Sequence, residues 1–160
     1  MISATSRMSL KHVVGIVLLS CLLAGCQPAS SWLNPDGSPF DTDAIEGHWL
    51  AINYWAKWCG PCRAEIPELN ELHHELAVHG VFVLGVNYDQ LTGAALEADI
   101  AELGIEFPVL ANDPQTEYGF ERATVLPMTV IISPQGVVHQ VLVGPQTLKS
   151  IIDATSAVSG

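Results

Sequence analysis

Cys59 and Cys62 stand two residues apart in Trp58-Cys59-Gly60-Pro61-Cys62, and that spacing admits three chemistries. Two such sulfurs can cycle as a redox dithiol, supply half of a zinc site, or form a fixed structural link. A zinc site needs a second pair of ligands. Beyond residue 26 the chain has no further cysteine, and of its six histidines only His73 and His74 could help. A structural disulfide across so short a loop removes little entropy from the unfolded chain. Redox exchange is the chemistry that remains, and it needs a thiolate, because only the ionised sulfur attacks a disulfide.

The elements around the pair must supply that ionisation. Trp49 to Trp55 is a short apolar run of strand formers, and Val81 to Tyr88 is another. Between them Ile66, Leu69, Leu72, His73 and Leu76 recur at helical spacing, which predicts an amphipathic helix after Cys62 that ends near Gly80. A cysteine just ahead of a helix faces unpaired N–H groups and the positive end of the macrodipole, and both favour thiolate. Cys59 is therefore assigned as the attacking, more exposed thiol, and Cys62, one turn on, as the resolving one. Gly60 and Pro61 restrict the loop to a geometry that suits both redox states.

Leu96, Ile100 and Leu103 mark a further helix closing at Gly104, with Glu97, Asp99 and Glu102 facing water. Met128 to Ile132 and Val137 to Val143 are strands joined through Ser133-Pro134-Gln135-Gly136, a turn that makes them an antiparallel hairpin. Leu148, Ile151, Ile152 and Thr155 line one face of a last helix. The order strand, helix, strand, helix, hairpin, helix predicts an α/β fold with a mixed central sheet and helices on both faces. Trp32, Phe40 and Trp49 are expected to pack its N-terminal edge.

Tyr54-Trp55-Ala56-Lys57-Trp58-Cys59-Gly60-Pro61-Cys62 resembles the active-site segment of the thioredoxin superfamily, and later positions keep step. Pro67 matches the proline that kinks the active-site helix, Pro127 in Leu126-Pro127-Met128-Thr129 matches the family's cis-proline, and Gly136 and Gly144 match two conserved-position glycines of the C-terminal hairpin and strand. The resemblance spans about residues 38 to 160 and implies the thioredoxin fold, with a redox disulfide between Cys59 and Cys62. It also implies that Trp58, Gly60, Pro61, Leu126 and Pro127 meet the substrate, with the Leu126 backbone free to pair with a substrate strand. Cytoplasmic thioredoxins carry a buried aspartate where this chain has Asn53, which takes up no proton at ordinary pH. Asn53 together with Glu65 resembles instead the TlpA and ResA group of bacterial extracytoplasmic thiol-disulfide oxidoreductases. In that group the acid at the Glu65 position acts near the cysteines. On helical position alone Glu65 reads equally well as a solvated surface acid.

The first residues belong to another regime. Arg7 and Lys11 precede Val13 to Leu23, an apolar stretch of about eleven residues, short of the ~20 that a spanning helix needs and suited to a signal peptide. Leu23-Ala24-Gly25-Cys26 resembles the bacterial lipobox, which implies cleavage after residue 25 and lipidation of Cys26. Cys21 competes less well, and the plain alternative is an ordinary signal cleaved near Ala24 that leaves Cys26 free. Residues 26–37, with Pro28, Pro35 and Gly37, read as a tether, and 38–160 as the folded domain. Gln27 after the cysteine implies the outer rather than the inner membrane, with the domain facing the periplasm.

Seventeen acids against six lysines and arginines, a formal net charge of −11, exclude a phosphate backbone as partner. No cofactor is required, since a dithiol carries two electrons itself. The resemblance implies cysteine-containing protein substrates and a DsbD-type membrane electron donor. Apocytochrome c is the best-known client class among similar proteins, although nothing in the sequence reads a haem-attachment motif. A disulfide reductase is the leading expectation, an oxidase or isomerase the second, and a redox-silent binding lipoprotein the third.

Overall fold

Residues 31–156 are described by the computed structural model. The expected signal segment 1–25 and Cys26 lie outside them. β1 (Trp49–Trp55) is apolar on both sides because it runs through the middle of the sheet: Leu50 to Trp55 are all buried. It pairs in parallel with β2 (Val81–Asn87) and antiparallel with β4 (Met128–Ile132). β3 (Val109–Leu110) extends the sheet beyond β2, and β5 (Val138–Val143) extends it beyond β4, giving the order β3-β2-β1-β4-β5. This is the mixed sheet and C-terminal hairpin that the sequence predicts, with β3 in addition. Val109 and Leu110 are too short a run to show any alternation.

Alternation along β1 sorts the core into two layers. Ala51 and Trp55 join Cys62, Ile66, Leu69 and Leu72 of α1 (Gly60–His74), Leu96 of α3 (Gly93–Leu103) and Ile151 of α5 (Leu148–Ser156). Leu50, Ile52 and Tyr54 face the other way, among Trp32, Phe40, Leu110 and Ala123. The long helices thus cover one face. The second face is closed mainly by non-helical chain, with three short helices contributing: the 3-10 turn Thr42–Ile45, through Ile45, α2 (Leu76–His79), through Leu76, and α4 (Gln115–Tyr118), through Tyr118.

Four sequence expectations need correction. Trp32, inside the stretch expected to be a tether, is 1% exposed and stacks edge-on against Tyr118 and obliquely against Phe40. The Leu33 N–H donates to Asn112 Oδ1, and the Leu33 carbonyl accepts from Ala111 N–H, both at 2.8 Å. The packed unit therefore includes residues 32–37. Asp99, expected in water, is buried, because Lys57 reaches it from the loop after β1. The helix expected to run to Gly80 ends at His74, and α2 follows as a separate turn. Trp49 packs against the ring of His139 on β5 rather than at the N-terminal edge.

No helix among the described residues is long and apolar enough to cross a membrane.

Candidate active site

β1 ends at Trp55, and Ala56 to Trp58 carry the chain over the sheet edge to Cys59, which caps α1 with an extended backbone at φ −80° and ψ 102°. The Cys62 N–H donates to Cys59 Sγ at 3.2 Å. Pro61 sits in the first turn, where its missing N–H costs no hydrogen bond. The first turn of α1 thus aims its free donors at Cys59, the arrangement that stabilises a thiolate there. The two cysteines are joined as a disulfide, with Cα atoms 5.3 Å apart. Cys59 retains 5% exposure and Cys62 1%, so Cys59 is the more open residue of the pair.

Glu65 follows Cys62 by one turn and shares its buried face. It is 2% exposed, which removes the reading of a solvated acid. The Asn53 side-chain amide donates to one carboxyl oxygen at 2.8 Å and the Gln146 N–H to the other at 2.7 Å. Asn53 also donates to Thr129 Oγ1, its opposite neighbour on β4, at 3.0 Å. Burial pushes Glu65 up to about 7, and the hydrogen bonds from Gln146 and Asn53 offset only part of that rise. The two residues that set this chain apart from cytoplasmic thioredoxins are therefore bonded to each other beside the disulfide. Gln146 had no signal in the sequence, because it contributes through its main chain.

On the outer side, Lys57 Nζ lies 3.0 Å from Asp99 and 2.6 Å from Glu102, both on α3. These carboxylates raise its basicity. They also tie the loop before Cys59 to α3. Trp58 is 66% exposed, its indole N–H donates to Asp89 at 2.9 Å, and its ring meets that of Tyr88 edge-on. Arg122 in turn donates to the Tyr88 carbonyl and lies over the Tyr88 ring. Trp58 is thus exposed yet held in place by Asp89 and Tyr88. Tyr88, Asp89 and Arg122 carried no motif and were missed.

Leu126-Pro127 is a cis peptide at the start of β4. The β1–β4 register sets Met128 opposite Tyr54, so Pro127 sits at the end of the sheet from which the Cys59 loop departs. Gly60 and Pro61 open α1 directly after that loop. All the expected substrate-contacting residues in the described chain lie at this one end.

Residues 24–141 match the AhpC/TSA family. The thiol-disulfide oxidoreductase ResA of Bacillus anthracis is 28% identical over 116 residues, 72% of this chain and 66% of that protein. The thiol:disulfide interchange protein HelX of Rhodobacter capsulatus is 32% identical over 129 residues, covering 78% of this chain and 70% of HelX. The match thus spans just under two thirds of the ResA length. Among solved structures, a thiol:disulfide interchange protein from Chlorobium tepidum superposes with a TM-score of 0.63 at 26% identity, covering 86% of this chain and all of the other. A secreted thiol-disulfide isomerase from Corynebacterium glutamicum does so with 0.62 at 27% identity, over 74% and 75% of the two chains. With residues 24–141 matching the family model and the fold superposing on these thiol-disulfide proteins, the chain belongs to the AhpC/TSA family of thioredoxin-like proteins.

Proposed function

We propose that the chain is a thiol-disulfide oxidoreductase that reduces disulfides in proteins outside the cytoplasm. The observation that carries this reading is the Cys59–Cys62 disulfide at the N-cap of α1, with Cys59 the more open of the two residues. In the reduced enzyme, the Cys59 thiolate attacks a client disulfide, forming a mixed disulfide and releasing one client sulfur as thiolate. Cys62 then attacks Cys59 Sγ, which closes the Cys59–Cys62 bond and releases the second client sulfur. Two electrons pass from enzyme to client, and a dithiol donor must return them. A DsbD-type membrane protein would suit that role.

Glu65 is the proton-handling group in this scheme, exchanging a proton as Cys62 ionises. Its burial beside Cys62 and a proton affinity set near neutrality support that assignment. Leu126 and Pro127 offer backbone to the client, and Trp58 forms the rim. Lipidation at Cys26 would hold the domain at the periplasmic side of the outer membrane. Relatives named as secreted or as interchange proteins favour the compartment, and the lipobox resemblance favours the anchor.

Catalysis of insulin reduction by dithiothreitol tests the activity, and Cys62→Ser should trap the client on Cys59 as a stable mixed disulfide. Insulin reduction no faster than in dithiothreitol alone would leave only a binding lipoprotein. The potential of the couple fixes the direction. A value near the about −270 mV of thioredoxin supports a reductase, and one near the about −120 mV of DsbA makes the protein an oxidant. The second reading is a disulfide oxidase or isomerase, and the isomerase named from Corynebacterium glutamicum favours its isomerase form, in which no net electrons pass.

A further inference from the structure

β5 is the outer strand of the sheet, and the backbone of Val138–Val143 pairs on one side only among the described residues. Exposed edges are normally guarded by charge or proline. Val137 to Val143 contains no Asp, Glu, Lys, Arg or proline, in a chain with 17 acids, and its one irregularity is a register shift opposite Ile131 and Ile132, N-terminal to Val141 and Val143. The register opposes Val143 to Met128 and Val141 to Val130, so both valines point to the second face, where Met128 and Val130 are buried. The cover over β4 stops short of β5, leaving Val141 47% and Val143 62% exposed, with Val137 at 61% where the strand begins.

This apolar strip is continuous with the redox end. The Gly144 N–H, directly after β5, donates to the Pro127 carbonyl at 2.9 Å. Val125, one residue before Leu126, is 56% exposed. A strand added outside β5 would lie about 10 Å from β4, two strand spacings, and about three extended residues cover that distance. A client whose cysteine is bonded to Cys59 could therefore lay its flanking chain on β5. A second copy is the less favoured occupant, since a net charge of −11 makes two copies repel.

We propose that β5 is a docking strand for an extended apolar segment of the client, adjacent in sequence to the cysteine that engages Cys59. Partly unfolded clients expose such segments, and strand addition would supply main-chain hydrogen bonds while Val141 and Val143 contact side chains. The proposal rests on the oxidoreductase reading and narrows its substrate class to cysteines flanked by exposed β-forming chain.

The test uses the pre-reduced protein with hydroxyethyl disulfide and with two disulfide peptides, one flanked by Val, Ile and Tyr and the other by Ser and Gly. Wild type should prefer the apolar-flanked peptide in kcat/KM, and Val141→Lys and Val143→Lys should each reduce that preference about tenfold, the equivalent of one buried valine side chain. Val78→Lys places the same charge on an exposed valine of α2 and should keep the preference. Equal rates for the two peptides, or a preference that survives both β5 variants, would overturn the proposal. So would a wild-type dimer in sedimentation that Val141→Lys dissociates, since the strand's occupant would then be a second copy. Failure to oxidise with hydroxyethyl disulfide would instead sink the oxidoreductase reading, and the docking strand with it.

Discussion

Glu65 keeps its proton to about pH 7 because burial costs its charged form more than the bonds from Gln146 and Asn53 return. Its folded proton affinity exceeds the ordinary 4.5 of the unfolded chain, so between the two values the native state binds more protons. Its contribution to stability is therefore complete below about pH 4.5 and is lost as pH rises through about 7, on the order of 3 kcal/mol across the window. Urea unfolding from pH 4.5 to 8 should show wild type losing that stability relative to Glu65→Gln. Parallel curves for the two proteins would refute the assignment. Asn53 and Glu65 were both legible as departures from the thioredoxin pattern. Their contact was not, because it joins a strand to a helix and no spacing encodes it. Asp99 misled for a related reason: position on α3 said surface, but Lys57, far off in the chain, closes over it.

β2 shows how an element positions the site without touching it. A Cβ on Gly85 would lie 2.9 Å from Val109, 3.0 Å from Phe107 and 3.0 Å from the Trp55 indole nitrogen. Gly85→Ala must push β3 or Trp55 aside and should cost about 1–3 kcal/mol, the range for overpacked cores, read as a lower midpoint in thermal unfolding. Tyr54→Phe probes the opposite face. The Tyr54 hydroxyl donates to Asp113 at 2.6 Å, and Asp113 keeps the Gln115 N–H when it is lost, so about 1 kcal/mol should go. Unchanged unfolding in either variant would contradict these contacts. β1, β2, β4, β5 and the helices α1, α3 and α5 were legible because each is long enough to show its period. β3 and α4 are too short for that, and α1 runs through Pro67 without ending, where composition alone would have suggested a break.

The molecule as a whole is asymmetric, with long helices on one face and an irregular N-terminal wrap on the other. Turn-forming residues in that wrap disguised it as a tether, although Trp32 and Phe40 were expected to pack the N-terminal edge and do so. Trp32→Ala should cost about 3–5 kcal/mol, as for other large core truncations, and a chain begun at residue 38 should lose at least as much in urea unfolding. A truncated chain of wild-type stability would return residues 32–37 to the tether. β1 lies at the centre of the sheet, hydrogen-bonded to β2 along its whole length and to β4 from Leu50 to Tyr54. Its amides can trade hydrogen for deuterium only when the whole domain opens, whereas the wrap and the outer strands can do so through local openings. The disulfide thus follows directly on the strand expected to exchange most slowly among the described residues. Isotope labelling can therefore compare the Cys59 loop in the oxidised and reduced protein against β1 as an internal reference.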